Sequence, residues 1–310
     1  MRIVFCGTPE FAVPTLRTLL ANPEFSVEAV ITQPDRPRGR GRQVSASAVK
    51  EVATEAGLLI YQPQSMKSDE ARDFIAEIKP DAAVIIAFGQ IIPRRLLEIP
   101  RLAWINLHGS LLPKYRGAAP IAWAIINGES KTGLTTMRLD PGLDTGPILM
   151  QREVEIGSDE TSPELAKRMA ELGAPLMVES LTKLERGEIA PIPQDSTQAS
   201  YAPILTKEHG RIEWTQLAGE VYNRIRGLAP WPGAFTTFRG KLCHIWGRPS
   251  GPGTSQDVGT LIVNDATIQV VCGEGTRLRL EGVQIEGRKR VSALEFVNGA
   301  RLARGERFGG

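Results

Sequence analysis

Asn106, His108 and Ser110 alternate along Asn106-Leu107-His108-Gly109-Ser110-Leu111-Leu112-Pro113, and a carboxylate, Asp144, stands in a second Gly-rich turn, Leu143-Asp144-Thr145-Gly146. If the first segment is a strand, its amide, imidazole and hydroxyl point to one face. With a carboxylate beside them they could stabilise a developing oxyanion, hold an imidazole in one orientation and move a proton. The chain has three His. This one sits where an apolar run ends in Gly and Pro, the place where open α/β sheets bind ligands. A core histidine or a turn-capping aspartate would account for either residue alone; the constellation reads as an active site.

The elements that must position these groups follow from the spacing of apolar residues. Strand candidates at 3–6, 27–31, 82–87 and 104–107 alternate with helix-like segments at 11–20, 46–56 and 71–78. That alternation predicts a parallel sheet with helices on both faces. Residues 133–139 read as a further strand, and 161–185 as a long helix opened by Ser162-Pro163-Glu164. Between 190 and 204 the chain turns to Pro, Gln, Ser and Thr, which reads as a linker. Beyond it, 217–226 looks helical, and short strand candidates at 234–238, 242–245, 261–263, 268–271 and 278–280 are separated by Gly-rich turns. This pattern suggests a small β-barrel. A chain of 310 residues also exceeds what one compact core usually holds, so two domains are expected.

Several function classes are disfavoured. Gly7-Thr8-Pro9 closes the first strand without a Gly-x-Gly-x-x-Gly, and no Walker-type loop occurs, which argues against a dinucleotide oxidoreductase or an NTPase. Ser110 is not embedded in Gly-x-Ser-x-Gly, so a serine nucleophile is not indicated. Cys6, Cys243 and Cys272 are odd in number and far apart, unlike a disulfide framework or a Cys-x-x-Cys metal site, and no metal is expected. No apolar run reaches the ~20 residues that cross a bilayer. The chain opens directly on strand-like Ile3-Val4-Phe5. A cytoplasmic protein with no membrane association is the expectation. Residues 206–310 carry 15 Lys+Arg against 10 Asp+Glu, while 1–205 carry 22 against 25. The excess of cations in the C-terminal part is consistent with a polyanionic partner or with a solvated basic face.

With Tyr115-Arg116-Gly117-Ala118-Ala119-Pro120 added, the chain resembles the 10-formyltetrahydrofolate-dependent formyltransferases. The resemblance covers nearly the whole chain. Phe5-Cys6-Gly7-Thr8-Pro9-Glu10-Phe11-Ala12 opens it, Gln33-Pro34-Asp35-Arg36-Pro37 follows, and Ile225-Arg226-Gly227-Leu228-Ala229-Pro230-Trp231-Pro232-Gly233 lies in the C-terminal part. The catalytic motif is shared by relatives acting on several amines, whereas the flanking segments resemble the members that formylate methionyl initiator tRNA. The resemblance implies a Rossmann-like α/β catalytic domain over 1–189, a linker over 190–205, and an OB-like β-barrel over 206–310 that binds tRNA. It also implies 10-formyltetrahydrofolate as the formyl donor. A monomer is expected, since one chain carries both the site and its own RNA module.

Formyl transfer proceeds by attack of a neutral amine on an amide-like carbon, through a tetrahedral intermediate with a negative oxygen and a positive nitrogen. Asn106 and His108 are suited to donate to that oxygen. Asp144 can pair with His108, and the two can move a proton from the amine toward the departing folate nitrogen. The resemblance places Ser110, Leu111, Leu112 and Pro113 in the folate pocket, with Phe88, Gly89, Gln90 and Ile91 receiving the pterin ring. A buried strand leaving the sheet would explain the apolar residues of the latter segment equally well. Phe88 stands where the family often has Tyr, and Glu213 where it often has Asp. The loop Asp35-Arg36-Pro37-Arg38-Gly39-Arg40-Gly41-Arg42 is either a solvated charge run or, as the resemblance implies, a tRNA contact through Arg36, Arg38, Arg40 and Arg42. Two other functions compete. A formyltransferase or formyl-folate hydrolase acting on a small molecule would share Asn106, His108 and Asp144 but lack the basic loop joined to a basic barrel. A non-catalytic tRNA-binding protein would leave those three residues unexplained.

Overall fold

The computed structural model describes residues 1–38, 43–253, 257–264, 267–303 and 305–309. They form two compact units that interleave in sequence. One comprises Met1–Pro120, Lys131–Glu155 and Glu164–Pro203; the other comprises Ile121–Ser130, Ile156–Pro163 and Ile204–Gly310. Among the described residues, no helix is long and apolar enough to cross a membrane.

The first unit is built on β1 (Arg2–Gly7), β2 (Ser26–Ile31), a short hairpin of β3 (Arg36–Arg38) and β4 (Gln43–Ser45), β5 (Leu59–Tyr61), β6 (Ala82–Ile86), β7 (Ala103–His108), β8 (Lys131–Arg138) and β9 (Ile148–Glu155). Its main helices are α1 (Val13–Ala21), α2 (Ala48–Glu55), α3 (Asp69–Ile78), α4 (Arg94–Leu97), α5 (Pro120–Ile126) and α6 (Ser162–Glu185), of which α5 and the start of α6 extend into the second unit. Seven strands make one sheet in the order β5-β2-β1-β6-β7-β8-β9. The five from β5 to β7 are parallel, and β8 and β9 add antiparallel at the edge. The sheet is therefore mixed at the end where sequence pattern predicts only parallel strands. Ala82-Ala83-Val84-Ile85-Ile86 is buried throughout, as expected of a central strand covered on both faces. Ser47 caps α2 by accepting from Lys50 N, and Ser68 caps α3 by accepting from Ala71 N, which satisfies amides that a helix start leaves unpaired.

Two packing contacts fix β7. Trp104 is 1% exposed and its Nε1 donates to Leu96 O at 2.7 Å. On α6, a Cβ at Gly173 would lie 2.5 Å from Leu107 Cδ2, so only glycine lets the helix approach Leu107 this closely. Leu107 thus packs against α6, and its neighbours Asn106 and His108 take the opposite face of the strand.

The second unit contains α7 (Ala218–Gly227), β10 (Phe235–Phe238), β11 (Lys241–Pro252), β12 (Leu261–Asn264), β13 (Thr267–Val271), β14 (Thr276–Ile285), β15 (Val291–Ser292) and α8 (Ala293–Ala300). The strands form an antiparallel sheet in the order β10-β11-β14-β13-β12, with β15 paired to β14. Register shifts at Trp246/Gly247 and Pro249/Pro252 interrupt the β11–β14 ladder, and such bulges bend and twist a strand pair. Val221 and Ile225 of α7 share one core with Ile245, Val270, Leu278 and Val283. Replacing Trp104 by Ala is expected to destabilise the first unit by about 3–5 kcal/mol, from reduced burial plus the cavity left behind. Chemical denaturation followed by circular dichroism reads this directly, and a change below about 1 kcal/mol would show that β7 is not anchored there.

Candidate functional site

The strand order reverses direction at β1, which has β2 on one side and β6 on the other, all parallel. The carboxyl ends of β1, β6 and β7 therefore open onto one crevice, the usual ligand site of such sheets. Thr8, just after β1, donates from Oγ1 to Phe88 O at 3.1 Å, and Gln33 Nε2 donates to the same oxygen at 3.1 Å. The segment following β6 is thereby tied to the ends of β1 and β2.

Asn106 and His108 lie on the same face of β7. The Asn106 carboxamide is half-buried and has no hydrogen-bond partner among the described residues. His108 is buried, 6% exposed. Its Nε2 lies 2.9 Å from Tyr115 O and its Nδ1 lies 3.8 Å from Asp144 Oδ2. A carbonyl oxygen can only accept, so Nε2 carries the hydrogen of that bond. Nδ1 is then the ring nitrogen left for chemistry. Its separation from Asp144 is ion-pair distance, beyond a hydrogen bond.

Asp144 is held independently of His108. Its Oδ2 accepts from Gly117 N at 2.7 Å, and its backbone sits in the left-handed region at φ 51°. Gly117 itself has φ 120°, and a Cβ there would lie 2.6 Å from Ala202 O. A side chain at this position would displace the amide that holds the carboxylate.

The loop from Gly109 to Gly117 is fixed by the antiparallel edge of the sheet. Thr135 of β8 and Gln151 of β9 stand opposite each other. Thr135 Oγ1 donates to Ser110 O at 2.7 Å and accepts from Leu112 N at 3.1 Å, while Gln151 Nε2 donates to Leu112 O at 2.9 Å. Ser110 lies beyond the end of β7 and is fully buried, and its hydroxyl donates to Lys114 O at 2.6 Å. It therefore closes the loop instead of joining Asn106 and His108, which corrects the alternation read from sequence. Leu112 is buried as well, with both backbone groups engaged. Leu111 and Pro113 are half-buried.

The segment after β6 divides in the same way. Phe88 is 2% exposed and packs in the core with Val4, Ile31 and Trp104, so its ring is not a wall of the crevice. The Gln90 amide is engaged at both ends, accepting from Met66 N and donating to Pro63 O. Gly89 and Ile91 are open, Ile91 being 75% exposed. Gly89, Gln90 and Ile91 border an open depression of about 330 Å³ together with Gln33, Arg36 and Lys67. Leu143, beside Asp144, is 60% exposed. An unpartnered amide and exposed apolar side chains on the loops around one crevice fit a flat heteroaromatic ligand with polar edges.

Of the basic loop, Arg36 is exposed and Arg38 pairs with Gln43 at the end of the β3–β4 hairpin. Arg40 and Arg42 lie outside the described residues. Of the expected arginine loop, residues 36–38 thus form a strand paired with 43–45.

The formyl transferase family matches residues 1–181, and formyl transferase, C-terminal domain, matches residues 204–301. Over 310 residues the chain is 50% identical to the methionyl-tRNA formyltransferase of Solibacter usitatus, covering 100% of this chain and 99% of that protein. It is 48% identical to the methionyl-tRNA formyltransferase of Acidobacterium capsulatum, with 100% of both covered. The crystal structure of an N-formyltransferase from Helicobacter canadensis in complex with folinic acid and dTDP-3-aminofucose has the same fold. Its TM-score is 0.68 at 18% identity, over 90% of this chain and 98% of that one.

Proposed function

The chain belongs to the formyl transferase family, and we propose that it transfers a formyl group from 10-formyltetrahydrofolate to the free amino group of methionyl initiator tRNA. The observation that carries this reading is the identity of about half the residues, over the full length of both units, with proteins named for that reaction. The amide, imidazole and carboxylate gathered at the end of β7 support it. The product is N-formylmethionyl-tRNA, the species used for translation initiation. On this reading the protein works as a monomer in the cytoplasm.

The neutral amine attacks the formyl carbon, and the carbonyl oxygen becomes an oxyanion. The Asn106 carboxamide, free of partners among the described residues, donates to it. His108 acts through Nδ1, because Nε2 is engaged by Tyr115 O. Asp144, held by Gly117 N–H, presents its carboxylate to that nitrogen. Together they take the proton that the attacking amine must lose and return one to the folate nitrogen as the carbon–nitrogen bond breaks. No covalent enzyme intermediate is required. Gly89 and Ile91 contact the pterin ring, and Arg36, Arg38, Arg40 and Arg42 engage the acceptor end of the tRNA.

Incubating the protein with 10-formyltetrahydrofolate and either charged initiator tRNA or a small amine such as an amino sugar tests the reading. Formylation of the charged tRNA alone is expected; a preference for the small amine would contradict it. Asn106→Ala should lose about 10²–10³ in turnover. His108→Ala and Asp144→Ala should lose most transfer with nearly unchanged tRNA affinity, and wild-type turnover in either would contradict the mechanism. Replacing Arg38, Arg40 and Arg42 together by Ala should reduce the slope of log affinity against log salt by about 0.7–0.9 for each phosphate that the arginines no longer neutralise. If the arginines read bases instead, selectivity among tRNAs should fall at constant slope. Unchanged efficiency, selectivity and slope would remove these arginines from the tRNA interface.

A further inference from the structure

The turn that carries Asp144 is braced by a buried arginine with no acid beside it. Arg116 is 3% exposed, and among the described residues no carboxylate lies within ion-pair distance of it. A guanidinium remains charged at any ordinary pH, and burying it is unfavourable unless its N–H groups are satisfied. Arg116 meets this requirement largely through one neutral side chain. Its Nε and Nη2 donate to Gln194 Oε1 at 3.1 and 2.8 Å, and Nη2 also approaches Ser196 Oγ at 3.4 Å.

Two charge-assisted bonds to the same oxygen fix which way the Gln194 amide points. Its NH₂ group must face away from the guanidinium. There Nε2 donates to Asp144 O at 2.8 Å and to Gly146 O at 2.7 Å. A flipped amide would set NH₂ against the arginine donors and oxygen against two carbonyls, so the alternative is repulsive at both ends. The carbonyls held in this way lie on a turn that needs holding, because Asp144 is a non-glycine residue in the left-handed region. Such a conformation persists only where the surroundings over-determine it. The next residue after Arg116 is Gly117, whose N–H holds the Asp144 carboxylate. One short stretch of chain thus controls the carboxylate directly and the backbone beneath it through Gln194.

We propose that Arg116 and Gln194 are positioning residues for formyl transfer: Arg116 orients the Gln194 amide, and the amide clamps the Asp144 turn so that the carboxylate stays beside His108 Nδ1. The proposal rests on the reading of His108 and Asp144 as the proton-moving pair. It also gives the segment read as a linker a part in the site, since Gln194 belongs to it.

The test uses the full chain carrying Gln194→Ala, Gln194→Glu, Asp144→Asn and the corresponding double substitutions. Gln194→Glu keeps a partner for Arg116 but sets an oxygen without N–H against the two carbonyls, so it is expected to fold with a lowered melting temperature. Both Gln194 variants should lose about 10- to 100-fold in kcat, the size of effect that a small misplacement of a reacting group produces. KM for the formyl donor and for charged tRNA should stay within about threefold, because ground-state binding is untouched. In the Asp144→Asn background the same Gln194 substitutions should lower kcat by less than about twofold, as the group they position is gone. A folded Gln194→Glu enzyme with wild-type kcat, or losses that multiply in the double variants, would overturn the proposal while Asp144→Asn remains impaired. If the Gln194→Glu protein does not fold, the Gln194→Ala enzyme decides alone, and wild-type kcat in it would overturn the proposal. Wild-type turnover by Asp144→Asn would instead refute the reading of the site itself, and the proposal with it.

Discussion

The oxygen of Tyr115 can only accept a hydrogen bond, and the chemistry open to His108 depends on that restriction. With Nε2 committed as the donor at 2.9 Å, the imidazole can exchange a proton only through Nδ1, the nitrogen that faces Asp144. The carbonyl must therefore be placed as accurately as the histidine. That placement requires the chain to fold back sharply after β7, and the hydrogen bonds of Ser110, Leu112, Thr135 and Gln151 make the fold-back rigid. A minimal parallel sheet would not include the antiparallel strands β8 and β9. Their side chains supply the bracing that this loop needs.

A second consequence concerns how far apart in sequence the working parts lie. Parallel strands deliver their carboxyl ends to one side of the sheet, so Thr8 meets Phe88 although tens of residues separate them, and His108 ends its strand on the same side. Asp144 comes from a different kind of element, the turn between two antiparallel strands. Its position is set by backbone amides and an oriented glutamine instead of by strand register. The histidine and the aspartate are thus held by different devices, one by strand register and the other by the bonds of Gly117 and Gln194.

The sequence announced much of this. Apolar runs marked β1, β2, β6, β7 and β8, and the 3.6-residue pattern marked α3, α6 and α7, because each buries one continuous face. It was silent on β5, which has only three residues, and on β9, where the consecutive polar residues Gln151, Arg152 and Glu153 interrupt the apolar pattern and only Leu149 and Val154 are buried. Spacing singled out Asn106, His108 and Asp144 as candidates, and the structure brings His108 Nδ1 and Asp144 Oδ2 within 3.8 Å. The misreading of Ser110 has a physical source: alternation assigns a face only while the strand continues, and β7 ends at His108. Phe88 and Gln90 resemble ligand contacts by their neighbours, yet one fills the core and the other ties the loop to Met66 and Pro63. Arg116 stood in a quoted motif without a role, and Gln194 stood in a Pro-rich stretch. Only the three-dimensional hydrogen bonds join them, and a buried arginine without a nearby acid leaves no mark in sequence.

The central claim, that Tyr115 O holds the hydrogen on His108 Nε2 and leaves Nδ1 facing Asp144, is tested most directly by ¹⁵N NMR of histidine-labelled protein. His108 can be assigned among the three His by comparison with a His108→Gln spectrum. The account predicts that a neutral His108 shows the chemical shift of a protonated nitrogen at Nε2 and of an unprotonated nitrogen at Nδ1. A neutral His108 whose Nε2 shows the shift of an unprotonated nitrogen and whose Nδ1 stays protonated would contradict it.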